Sequence, residues 1–195
     1  MLSDYSLTSD DMSPWLFTAR QRFLPSQGQS WHSYIQFSGF THITEVVTLD
    51  SILCPDLIED ITDEDWSHNF QADYRLTWFK DLAYLRQRID WRRGQDQLLA
   101  MLEQPNRVYD VPLNLEFCGF DILDDHDSNS VLTNCGRFSE RDAGFTPSDV
   151  NQFGLLSELD HVNTVAKKLR ASFPDEPHCG NCRVWQIARD IEPYT

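Results

Sequence analysis

The stretch LNLEFCGFDILDDHDSNSVLTNCGRF, residues 113–138, decides the fold class. Two runs rich in β-branched and aromatic residues, LNLEFCGFDIL and SVLTNCGRF, flank the polar, turn-forming DDHDSNS, which is the pattern of an antiparallel hairpin. With the turn centred near His126, Cys118 and Cys135 fall opposite each other. Downstream, SELDHVNTVAKKLRA (157–171) predicts a helix: Leu159, Val162, Val165, Ala166 and Leu169 share one side, acids open it and Lys167, Lys168 and Arg170 close it. RVWQIA (183–188) predicts a last strand.

Upstream, LTWFKDLAYLRQRIDWRR (76–93) carries Phe79, Leu82, Leu85 and Ile89 at helical spacing, and Gly94 ends the element. QDQLLAMLEQ (95–104) reads as a further short helix closed by Pro105 and Asn106. WHSYIQFSGFTHITEVVTL (31–49) fits two short strands joined at Ser38 and Gly39. SPWLFTARQRFLP (13–25) fits a helix with Ser13 as cap and Pro14 at its first position. Helices and strands mix without strict alternation, so the expectation is an α+β fold with short antiparallel strands, including a hairpin near 114–136, packed against several helices. Residues 1–12 are expected to be flexible and residues 13–195 to form a single globular domain.

The chain of 195 residues is 41% hydrophobic, 12% aromatic and 24% charged, a globular composition of single-domain size. Its formal charge of −15 repels phosphate backbones and anionic lipid and attracts basic surfaces. Direct nucleic-acid and membrane binding are therefore disfavoured. The amino terminus lacks a basic n-region and an apolar run, so a soluble, cytoplasmic protein is expected, with its five cysteines reduced.

Charge is blocked along the chain. Asp50 to Trp66 holds seven acids and no base, Ser67 to Arg107 holds Lys80 and six arginines against five acids, and Val108 to Val165 holds eleven acids against Arg137 and Arg141. Most of the first block falls in CPDLIEDITDEDWSHNF (54–70), expected as an acidic helix capped by Asp50 or Ser51, interrupted near Pro55, with Leu57, Ile58 and Ile61 on one side. Like charges at this density oppose folding with no local cation to offset them. Acids beside aromatics are what an interface with a basic protein uses. The partner-binding residues expected are Asp56, Glu59, Asp60, Asp63, Glu64, Asp65 and Trp66, with Asp124, Asp125 and Asp127 of the second block. The profile is that of an inhibitor or immunity-type protein, or a DNA mimic, that neutralises a basic effector such as a toxin or nuclease.

Rival chemistry is thinner. HCGNC places Cys179 and Cys182 beside His178, and a zinc site would need Cys135 or Cys118 to complete four ligands through the fold. A metal-dependent protein or hydrolase built on His178, Cys179, Cys182 and Cys135 is the alternative reading, and a structural subunit of a larger assembly is another. Asp125 to Ser130 begins like a calcium loop, but Ser130 stands where glycine belongs and Gly136 where a bidentate acid is required. No nucleophile elbow, phosphate-cradling loop, metalloprotease motif or dinucleotide fingerprint occurs, so the reading leans away from an enzyme and calls for no cofactor.

Overall fold

The computed structural model describes residues 15–48, 50–70, 78–112, 114–124, 129–133 and 138–190. Four antiparallel strands, β1 (Leu16–Gln21), β2 (Asp96–Glu103), β3 (Leu115–Leu123) and β4 (Arg183–Asp190), form one sheet in the order β1-β2-β4-β3. Four α-helices accompany them among the described residues: α1 (Gln29–Ser38), α2 (Asp63–His68), α3 (Leu82–Arg88) and α4 (Leu159–Ser172). The fold is α+β, with a single sheet as its centre.

Both faces of the sheet are buried. Along β2, Leu98, Ala100 and Leu102 join Phe17, Ala19, Leu57, Phe79 and Leu85 on one side. Leu99 and Met101 join Trp78, Trp185 and Ile187 on the other, where the two indoles stack at 4.9 Å. This double burial explains the correction at 95–104. A strand covered on both faces shows a continuous apolar run instead of an alternation, and QLLAML reads locally like a helix. The same holds for LFTAR, predicted as helical and found as β1: Leu16 to Arg20 are all buried, and the strand pairs with β2 from Leu16–Met101 to Gln21–Asp96.

The reverse correction falls on residues 29–38. WHSYIQFS is not a strand but α1, because Trp31, Tyr34, Ile35 and Ser38 recur at helical spacing and place Trp31, Tyr34 and Ile35 against the cluster around Phe40 and Val46. Gly39 is the left-handed residue that ends the helix (φ 77°), its N–H donating to the Ile35 carbonyl. It is a helix stop, not a hairpin turn. Residues 40–48 then run irregularly, bridged at Val46 to Phe23.

α4 and β4 form where the sequence predicts them, and α4 buries Val162, Val165, Ala166 and Leu169. α3 forms as the short core of the predicted 76–93 helix; Phe79, in front of it, bridges instead to Phe17. β3 is the first arm of the predicted hairpin. Among the described residues its return is a single bridge, Leu123 to Ser130, before residues 131–133 turn away, and its neighbour in the sheet is β4. A bulge between Phe117 and Gly119 brings this strand so close to the 155–156 segment that a Cβ on Gly119 would lie 2.8 Å from Leu155 Cβ and 2.9 Å from the Leu156 carbonyl oxygen. At φ +142° only glycine fits there comfortably. Cys135 lies outside the described residues, so the pairing of Cys118 with it does too. Cys54, Cys118, Cys179 and Cys182 are free thiols.

Candidate partner-binding surface

The acidic segment is not one helix. Pro55–Leu57 makes a single 3-10 turn, the chain loops through 58–62, and α2 starts only at Asp63. Its cap is Thr62, not Asp50 or Ser51: the Asp65 N–H donates to Thr62 Oγ1 and the Thr62 N–H donates back to Asp65 Oδ2, a reciprocal box closed at 3.2 and 2.7 Å. Because no helix runs through 57–61, the predicted apolar stripe does not exist. Leu57 enters the core beside Phe79 and Leu85, while Ile58 and Ile61 are 49% and 45% exposed.

One arginine shapes the loop. Arg88, at the end of α3, donates through Nη2 to the carbonyls of Asp56 (2.7 Å) and Asp60 (2.5 Å) and through Nε to Asp65 Oδ1 (2.9 Å). The Tyr84 hydroxyl adds a 2.6 Å bond to the same carboxylate, and His68 stacks on the Tyr84 ring. Burial alone would push the Asp65 carboxyl up, but the bonds from Arg88, Tyr84 and Thr62 outweigh it and hold it below the ordinary carboxylate range. Burial and the bond to Asp65 push the Tyr84 phenol up to about 12. An arginine from the basic block thus supplies the cation that the acidic block lacks.

The predicted partner residues therefore divide. Asp65 is fully buried and belongs to the fold. Asp56 pairs with the Arg93 guanidinium and accepts the Asp90 N–H at 2.8 Å, so it joins the same scaffold. Trp66 packs back against the core cluster around Phe79 and Leu85. What faces solvent is the unbroken exposed run 58–64, with the carboxylates of Glu59, Asp60, Asp63 and Glu64 around Ile58 and Ile61. None of these four carboxylates has a cationic partner among the described residues.

Of the partner residues expected in the second acidic block, only Asp124 is described, and it is not at the surface. Asp124 is buried and accepts the His178 Nδ1–H at 2.6 Å, tying β3 to the turn before β4. Asp125 and Asp127 lie outside the described residues, as does most of the loop read against the calcium pattern.

Asp121 is fully buried. Its Oδ1 accepts the Ser130 hydroxyl (2.7 Å) and the Ile122 N–H (2.8 Å), while Oδ2 has no partner among the described residues. Burial drives this carboxyl well above the carboxylate range, and the nearby Asp50 charge adds to the shift. Asp50 itself, predicted as a helix cap, accepts bonds from Ser130 N–H (3.0 Å), the Tyr34 hydroxyl (3.2 Å) and the Thr133 hydroxyl. Sequence reading missed this network, whose bonded partners lie up to 83 residues apart and share no motif. The Asp65 cap was signalled, since Thr62 stands three residues before it.

Three of the four proposed zinc ligands are described, and these three do not group around an ion site. His178 turns to Asp124, while Cys179 and Cys182 sit in the core beside Val184 and Leu169. Burial pushes the Cys179 thiol up to about 12 and raises that of Cys182. Among the described residues no three His, Cys, Asp or Glu side chains group to hold an ion, and Cys135 falls outside them. No described helix is long and apolar enough to cross a membrane. Comparison of the chain with protein-family models, with characterised proteins and with solved structures finds no match.

Proposed function

We propose that the protein is an acidic binding module whose 58–64 surface docks a basic protein partner, in the manner of an inhibitor or immunity-type protein that covers the cationic active site of a toxin, nuclease or other nucleic-acid-handling protein. The observation that carries this reading is the exposed loop on which Ile58 and Ile61 stand among four unpaired carboxylates while Arg88 clamps the backbone beneath them. A clamped loop loses little entropy on docking, so more of the contact energy appears as affinity. Exposed isoleucines offer the apolar centre, and the carboxylates around them offer a polar rim that selects a basic surface. The chain's overall charge of −15 adds long-range steering toward such a partner.

The test is quantitative capture of basic proteins by the wild-type chain and by the triple variant Asp60→Lys, Asp63→Lys, Glu64→Lys, across a salt series. The wild type should retain a stoichiometric basic partner at low salt and release it as the screening length falls from about 10 Å at 0.1 M to about 3 Å at 1 M. The triple variant should lose that partner while keeping its fold by circular dichroism. A partner held equally by both chains removes the assignment to this surface.

A further inference from the structure

A cleft of about 620 Å³ opens where the turn after β2, one face of α4 and the turn before β4 meet. Its polar lining is Gln104, Asn106, Asn163, Arg170, Asn181 and Arg183, and among the described residues no carboxylate lines it. In a chain with 31 acids against 16 lysines and arginines, an acid-free cleft holding two arginines is an exception to the surrounding field.

The two arginines differ. Arg183 is compensated by Glu103, 2.5 Å away. Arg170 donates to the Cys182 carbonyl at 2.7 Å and has no carboxylate partner among the described residues, unlike Arg22, Arg86, Arg88, Arg92, Arg93 and Arg189. Asn163 lies seven residues before it, two turns along the same face of α4. Asn106 accepts the Tyr109 hydroxyl at 2.9 Å through Oδ1, which fixes its amide and leaves its NH2 to donate. Gln104 holds a left-handed conformation (φ 47°), kept there by its N–H bond to the Val184 carbonyl at 2.8 Å. A non-glycine residue strained at the edge of a polar cleft is a feature of binding sites.

We propose that this cleft binds a small polar molecule through a carboxylate or phosphate group seated on Arg170, with Asn106, Asn163 and Asn181 hydrogen-bonding the remainder. A guanidinium presents paired donors to either oxyanion, and primary amides serve as donor or acceptor to hydroxyls and carbonyls. The C-terminal end of the α4 dipole opposes an anion here, which makes Arg170 indispensable to the site.

The test is a titration of the full chain with inorganic phosphate and separately with succinate, at constant ionic strength, followed by backbone amide shifts. Saturable shifts at Asn106, Asn163 and Gly180 to Val184 are expected with at least one probe, and which probe binds more tightly identifies the oxyanion. Arg170→Gln should weaken binding by about tenfold or more. Because that change also removes the bond to the Cys182 carbonyl, Asn163→Asp serves as the second variant: it leaves that bond intact, places a carboxylate in the cleft and should weaken binding comparably. Absence of saturable shifts with both probes, or binding that survives either substitution, overturns the proposal.

Discussion

Asp65 and Asp121 are both fully buried carboxyls in acidic blocks of the sequence, and the fold treats them in opposite ways. Around Asp65 it brings Arg88 from a helix 23 residues away, with Tyr84 and Thr62, and the carboxylate stays charged. Around Asp121 it brings, among the described residues, Ser130 and a backbone N–H, with Asp50 nearby, and burial pushes the carboxyl well above the carboxylate range. Burial is the same; the supply of a cation differs. An acidic stretch is thus not one kind of object. Each carboxylate is a scaffold ion, a core group whose charge burial opposes or a free surface charge according to what the tertiary fold brings to it.

The largest effect should come from removing the cation. Arg88→Ala leaves Asp65 buried without its partner and releases the carbonyls of Asp56 and Asp60, and breaking a buried pair from one side costs about 3–5 kcal/mol. Urea unfolding at neutral pH measures it. A loss below about 1 kcal/mol, the scale of an exposed pair, would show that the clamp contributes no more than a surface ion pair.

The pH dependence sharpens the contrast. Asp65 has a folded pKa below its unfolded value, so its contribution is present above the unfolded pKa of about 3.9 and is lost as pH falls through the folded value. Asp121 has a folded pKa above its unfolded value. Its stabilisation is complete below about pH 3.9 and is lost as pH rises toward and through the folded value, because the unfolded chain ionises first. Asp121→Asn, facing Ser130 and the Asp50–Tyr34 pair, keeps a neutral group of similar shape. Its stability relative to wild type should improve steadily between pH 4 and pH 7, read from denaturation midpoints across that range. A relative stability that worsens with pH would mean that Asp121 is ionised in the fold.

What the sequence revealed follows the same division between local and supplied causes. α4 and β3 were legible because their patterns are local: one helical stripe, one apolar and aromatic run ending in turn residues. β1 and β2 were not, since strands enclosed on both faces lose the alternation that marks a strand, and nothing within LLAML shows that β1 and β4 will flank it. α1 was obscured by aromatic content, although Trp31, Tyr34 and Ile35 already had helical spacing. At the surface, the composition located the acidic segment but could not separate Asp65 from Asp63. That separation needs Arg88, and the sequence reading gave Arg88 a place on a helix and in a basic block but no partner.

The smallest effect belongs to the carboxylates that no cation reaches. Glu59→Lys with Asp60→Lys alters two exposed loop side chains whose carboxylates bond nothing among the described residues, and the Arg88 bond to residue 60 is to its carbonyl, which the substitution retains. Stability should therefore change by no more than about 0.5 kcal/mol. The sign should favour the variant at low salt, where removing like-charge repulsion within 56–65 counts most, and the gain should fade as salt rises. If the double variant instead loses more than about 1 kcal/mol, these carboxylates are part of the scaffold like Asp65, and the surface left for a basic partner shrinks to Asp63 and Glu64. Near-neutral stability would leave binding as the property most sensitive to Glu59 and Asp60, which is how residues serving a partner differ from residues serving the fold.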